Sequence, residues 1–194
     1  MKLVILSFLL LPLAAASKEK VRASFIRQLQ VFFLMLASCT STWAGLPEAA
    51  EAMRRRDFAT AIKEWTPLAR SGDKMAQFYL GAMYLYGQGV PVNDREASIW
   101  IRKAAEQGVA DAQYFLSVMY AEGRGVPRNE SEATQWVRKA AEQGHKEAQH
   151  NAGHAYELGV GVEKDMRQAV IWYRKAAAQG NPMSQRRMAD LVKK

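Results

Sequence analysis

Cysteine is all but missing from this 194-residue chain: Cys39 is the only one. No internal disulfide can therefore brace the fold, and no thiol pair is on hand for redox chemistry. Long apolar runs are missing as well. Residues 3–11 are almost wholly apolar and residues 31–37 are apolar, but both fall short of the ~18–20 residues that cross a bilayer, which argues against a permanent membrane-spanning helix. Histidine is confined to His145, His150 and His154. There is no G-x-S-x-G elbow and no Walker loop. The Gly-x-Gly turns at 87–89, 123–125 and 159–161 follow helical patterns rather than strands, so they are not phosphate cradles. No catalytic constellation emerges, and neither an enzyme nor a cofactor is expected.

A strong charge of one sign is also lacking. The formal net charge is +8, but the first 44 residues carry Lys2, Lys18, Lys20, Arg22 and Arg27 against Glu19 alone, so 22 basic and 18 acidic residues remain, or +4. Spread over many helices, that is a solvated surface, not a nucleic-acid stripe. The short clusters Arg54-Arg55-Arg56 and Arg186-Arg187 read as solubilising ends.

Residues 1–44 read as an export leader, over-extended at its start. The apolar run behind Lys2 ends at Ala14-Ala15-Ala16, and a second basic-then-apolar leader begins near Val21. Two processing sites compete: Leu36-Ala37-Ser38-Cys39, a lipoprotein-like box with Cys39 as the lipidated residue, and Thr42-Trp43-Ala44 ahead of Gly45. Either implies a periplasmic or secreted protein of the bacterial envelope, with membrane contact only through the leader or a lipid on Cys39.

What the chain does have is a period. Trp100, Trp136 and Trp172 are 36 residues apart, as are Tyr84, Tyr120 and Tyr156, and Gly72, Gly108, Gly144 and Gly180. Residues 76–108 laid over 112–144 share 20 of 33 positions, where unrelated segments would share about two. Within a unit, Ala76, Leu80, Met83 and Tyr84 recur at helical spacing and Gly87 and Gly89 end that helix. Asn93 with Glu96 then forms a capping-box pattern for a second helix, repeated as Asn129 with Glu132 and Asp165 with Gln168. The second helix carries Ala97, Trp100, Ala104 and Ala105 and stops at Gly108. The spacing predicts helix pairs in three units, 73–108, 109–144 and 145–180. A degenerate pair precedes them over 45–72, with helices at 47–55 and 58–70 and Asp57 as a cap. A terminal helix follows over 181–194, its outer face holding Arg186, Arg187, Lys193 and Lys194.

The pattern Ala-x3-Leu-Gly-x2-Tyr-x2-Gly-x-Gly-Val, then Ala-x2-Trp-x2-Lys-Ala-Ala and Gly, resembles the Sel1-like repeat family, a relative of the tetratricopeptide repeat, over roughly residues 57–192. Ser117 departs from the glycine at Gly81 and Gly153, and Ala152 from the leucine at Leu80 and Leu116. The resemblance implies an all-α, right-handed α-solenoid of antiparallel helix pairs that serves as a protein-binding adaptor. Some secreted relatives have a disulfide in each repeat and are linked to penicillin binding; this chain lacks those cysteines.

Matching Leu80, Gly81 and Tyr84 to the first-helix motif places the partner groove at the variable positions of each unit. These are Met75, Phe78, Ala82, Leu85 and Tyr86, then Asp111, Tyr114, Val118, Ala121 and Glu122, then Glu147, His150, His154, Glu157 and Leu158. They run from aromatic, through mixed, to acidic with histidines. The expected partner is therefore a protein or peptide segment with an apolar anchor near Phe78 and Tyr86 and a basic end near Glu147 and Glu157, and not a nucleic acid. The alternative function is a metal- or cell-wall-ligand-binding protein, hydrolase or penicillin-binding-like, using His150, His154 and Glu157. That metal site is a weak candidate, since Asn151 stands where the H-E-x-x-H pattern needs glutamate.

Overall fold

The computed structural model describes residues 45–192. They form nine α-helices, with no strand among the described residues: α1 Gly45–Arg54, α2 Phe58–Arg70, α3 Lys74–Tyr86, α4 Asp94–Glu106, α5 Ala110–Glu122, α6 Glu130–Glu142, α7 Lys146–Leu158, α8 Met166–Ala178 and α9 Pro182–Val192. Each helix packs mainly on its neighbours in sequence, so the layers stack as an α-solenoid. The leader and Cys39 lie outside the described residues, as do Lys193 and Lys194. No described helix is long and apolar enough to cross a membrane.

Local chemistry sets the helix limits. The side chains of Asn93 and Asn129 accept the amides of Glu96 and Glu132 at 3.0 and 3.1 Å, and Asp165 accepts those of Arg167 and Gln168. Such caps contribute about 1 kcal/mol each. The return half of the expected capping box belongs elsewhere. The backbone N–H groups of Asn93, Asn129 and Asp165 donate to the carbonyls of Tyr84, Tyr120 and Tyr156, each at 2.9 Å. The start of every second helix (B) is thus tied to the end of the first (A), which fixes the turn between them. At that turn Gly87 adopts φ 68°, the left-handed conformation that closes α3.

Two devices hold the layers together. The first is a close helix approach: a Cβ on Gly81 would lie 2.6 Å from Cγ1 of Ile101, and one on Gly153 would lie 2.8 Å from the Tyr173 ring. At the register where these two glycines face Ile101 and Tyr173, Ser117 goes with the smaller Val137. The departure from the repeat pattern is therefore matched by its opposite residue. The second is a glutamine ladder whose inner members, Gln77, Gln113 and Gln149, are buried. Gln107 donates to Gln77, Gln143 to Gln113 and Gln179 to Gln149 at 2.7–2.8 Å. Gln77, Gln113 and Gln149 in turn donate to the carbonyls of Ala69, Ala105 and Ala141 in the previous layer. A buried amide left without these partners would cost about 1–3 kcal/mol, so the ladder fixes the register of one layer on the next.

The period-marking tryptophans pack at the layer boundaries, and Lys103, Lys139 and Lys175 lie over Trp100, Trp136 and Trp172 at 4.3, 3.9 and 4.2 Å from the ring centroids. At the N-terminal end Trp65 is stacked on Tyr79, 4.6 Å between centroids.

Candidate functional site

The variable positions of the A helices fall into three environments. Phe78 and Leu85, expected to meet a partner, are 9% and 6% exposed and belong to the core beneath α3, α4 and α5. Phe78 packs edge-on against Phe115 at 5.7 Å between centroids. Their stripe on α3 faces the next layer, which corrects their placement on the surface. Tyr86 differs: it is 57% exposed and presents its ring at right angles to Phe115 at 6.3 Å. Met75, Ala82, Tyr114 and Val118 are half-buried, and Asp111, Ala121, Glu122 and Glu147 are exposed.

Phe78, Tyr86 and Tyr114 belong to an aromatic run that starts on α2 and continues along the A helices α3 and α5. It leads from Trp65 through Tyr79, Phe78 and Phe115 to Tyr114, which stacks on His145 at 4.5 Å. Phe115 and Tyr79 lie off the helical register that the recurring tyrosine of each unit sets. Their signal was the pair of adjacent aromatics at 78–79 and again at 114–115. His145 is also new to the site. Its Nδ1 accepts the Ala148 amide at 3.1 Å as the N-cap of α7, and its Nε2 lies 3.3 Å from Asp111 Oδ1. Since Nδ1 is the acceptor, the neutral ring carries its proton on Nε2. Burial pushes the Tyr114 hydroxyl up from its ordinary range. Around this run the exposed carboxylates of Asp111, Glu122 and Glu147 give an acidic border, with Asp111 beside His145 and Glu147 3.5 Å from the Lys146 ammonium.

The third environment is an open cleft of about 390 Å³ lined by His150, His154, Glu157, Leu158 and Tyr173 together with Met183, Arg186, Arg187 and Asp190 of α9. Glu157 is committed inside the fold. It accepts the Tyr173 hydroxyl at 2.7 Å and both Nε and a terminal nitrogen of Arg187. The Arg187 hydrogen bonds hold the Glu157 carboxyl below its usual range, and burial with Glu157 pushes Tyr173 up. His150 places Nδ1 2.8 Å from the Ser184 hydroxyl, and burial lowers its pKa. Two expectations are corrected. Glu157 is not open to a partner's basic end, and it is not open to complete a metal site with His150 and His154. Among the described residues no three His, Cys, Asp or Glu side chains converge to hold an ion.

A model of the Sel1 repeat matches residues 74–109, 110–145 and 146–181. The chain belongs to the Sel1 repeat family. A Sel1 repeat protein from Oxalobacter formigenes is 46% identical, the match covering 66% of this chain and 97% of that one, with a TM-score of 0.63. A protective antigen present in uropathogenic Escherichia coli strains, displaying an SLR fold, is 38% identical over 77% of this chain with a TM-score of 0.72; the match spans 33% of the antigen's own length. Helicobacter pylori cysteine-rich protein B shares the fold, at 22% identity over 66% of this chain and 92% of that one, TM-score 0.53. No curated protein matches the chain. The Sel1 boundaries fall one residue later than the units read from the sequence, so the N-cap positions Asp73, Val109, His145 and Asn181 each sit at a repeat junction. Sel1 repeats generally build surfaces for protein–protein contact.

Proposed function

We propose that this Sel1 repeat protein is a non-catalytic scaffold of the bacterial cell envelope that holds a segment of another protein against its A helices. The observation that carries the reading is the aromatic run with Tyr86 standing out of it, bordered by Asp111, Glu122 and Glu147. An exposed tyrosine seated on buried aromatics offers a large rigid contact at low entropic cost, and the carboxylates orient a basic segment and speed its encounter. The envelope assignment rests on the leader pattern of residues 1–44.

The test is crosslinked capture from native envelopes with the full chain tagged at its C-terminus, run beside Tyr86→Ala and Asp111→Lys. The expected result is one set of proteins enriched by the parent and depleted by both substitutions. Enrichment that survives both would remove the A-helix face as the binding surface.

A further inference from the structure

The residues at the repeat junctions do one job with different chemistry. Asp73, His145 and Asn181 each accept the amide three residues on, that of Ala76 at 2.8 Å, Ala148 at 3.1 Å and Ser184 at 2.9 Å, while Val109 makes no such bond. Histidine is the only one of these caps whose ordinary charge change lies between pH 5 and 8. A second proton on the imidazole must go on Nδ1, the atom that holds the Ala148 amide. Protonation and capping therefore exclude each other at His145.

The groups around the ring decide what the charged form would do. From α5, Asp111 lies 3.3 Å from Nε2 and Tyr114 stacks on the ring face, 4.5 Å between centroids. From α7, Glu147 lies 3.6 Å from Nδ1, with the Lys146 ammonium 3.5 Å from the other oxygen of that carboxylate. From α6 comes the Ala140 carbonyl, which accepts the His145 N–H at 3.1 Å, and the last carboxylate of that helix, Glu142, is paired with Arg138. From α8 comes the uncharged Gln179, which donates to the Gly144 carbonyl. Burial holds the Tyr114 hydroxyl neutral, so its ring offers a stacking surface to either form of the imidazole. The positive end of α7 opposes an imidazolium, and the two carboxylates favour it.

We propose that His145 is a proton-operated clasp on the acidic border of the A-helix face. With the ring neutral, Nδ1 caps α7 and the Asp111 and Glu147 side chains stand 60% and 50% exposed. With the ring charged, Nδ1 releases the Ala148 amide and donates to Glu147 while Nε2 holds Asp111, so one imidazolium draws both carboxylates to itself. The border then attracts a basic segment less strongly. The cap that is lost and the exposed ion pairs that are gained are each about 1 kcal/mol or less, so the exchange is a local rearrangement. Its consequence for a partner rests on the scaffold reading above; the clasp itself does not.

The clasp is read by nitrogen NMR on the full chain as the pH is lowered from about 8 to about 5. At the upper end His145 Nδ1 shows the shift of an unprotonated acceptor. On acidification it gains its proton, and with the same midpoint the Ala148 amide resonance moves and its exchange, corrected for intrinsic rates, speeds up about fivefold. His145→Asn, which caps as Asn181 does, removes the transition at Ala148 and keeps the thermal midpoint close to the parent's. A proton on Nδ1 at the upper end, an Ala148 amide with no transition in the histidine range, or a transition that survives His145→Asn overturns the clasp. In the capture experiment above, the parent retains at least about threefold less partner at about pH 5.5 than at about pH 7.5, and His145→Asn retains equal amounts. Equal capture by the parent at both overturns the control over binding. No capture at either, with the Ala148 transition intact, overturns the scaffold reading and leaves the clasp standing.

Discussion

The A-helix positions of the first and third units start from the same backbone and end in opposite roles. In the first, Tyr86 projects from a core of Phe78, Leu85 and Phe115. In the third, Glu157 and His150 turn to α8 and α9 and are satisfied there by Tyr173, Arg187 and Ser184. The first end keeps its contact group free, while the third uses its polar groups to secure the last helix. A repeat period thus tells where a side chain starts, and the neighbouring layer decides whether it is available to a partner. If this contrast is right, substitutions in the third unit cost stability and those at Tyr86 cost binding.

The largest expected effect is at Gly153. A Cβ there meets the buried Tyr173 ring at 2.8 Å, so Gly153→Ser pushes the ring away from the Glu157 carboxylate as well as overpacking the α7–α8 contact. A loss of about 2–3 kcal/mol is expected, read from chemical denaturation. Ser117→Gly, at the same register opposite Val137, should cost about 1 kcal/mol or less through the small void it leaves. Equal effects at the two positions would break the argument that each glycine or serine is matched to its opposite residue.

Next comes Glu157→Ala, which leaves the buried Tyr173 hydroxyl without its acceptor and removes the Arg187 ion pair that ties α9 to α7, leaving the His150–Ser184 contact. The cost should be about 1–3 kcal/mol, with faster amide exchange in α9 ahead of the other helices. Uniform exchange across all nine helices would show that Glu157 secures nothing local.

Much of this was legible from residues alone, and what was not has a physical cause. The 36-residue period, the caps at Asn93, Asn129 and Asp165, and the units themselves follow from local rules that act within one turn of chain. Phe78 and Leu85 were misplaced because a helix in a stack has neighbours on three sides, and its apolar stripe is wider than one face. The Glu157–Arg187 pair joins residues 30 apart across two layers, so no helical spacing announces it. The glutamine ladder spans the same 30 residues and is not announced by any single helix either, although its glutamines recur three times in phase with the period.

A smaller effect follows from pH. In the unfolded chain His150 titrates near its ordinary value of 6.5, and burial lowers it in the fold, beside His154, Glu157, Tyr173 and Ser184. Between those two values the unfolded chain binds more protons, so stability is full above 6.5 and declines as the pH falls below it. Glu157 acts in the same direction at lower pH: its contribution is present above the ordinary 4.5 and is lost as the pH drops through its depressed value. Thermal midpoints should therefore fall in two stages on acidification. His150→Gln should remove the first and Glu157→Gln the second. A first stage that persists in His150→Gln would show that His150 does not set it.

The smallest expected effect on the fold is the most informative about function. Tyr86→Ala removes a ring that is more than half exposed and touches the aromatic run at its edge, so the thermodynamic loss should stay within about 0.5 kcal/mol. Binding of a partner segment should nonetheless weaken by about tenfold or more, since exposed aromatics seated on a rigid base dominate such interfaces. Glu122→Gln, at the C-terminal end of the neighbouring A helix beside Gly123, should slow association and reduce its salt dependence while changing dissociation little. The two variants divide the surface into an anchor and a steering group. A Tyr86→Ala protein that loses stability but keeps its partner would invert the contrast between the two ends, making the first unit the structural one and moving the search for the contact surface to the third.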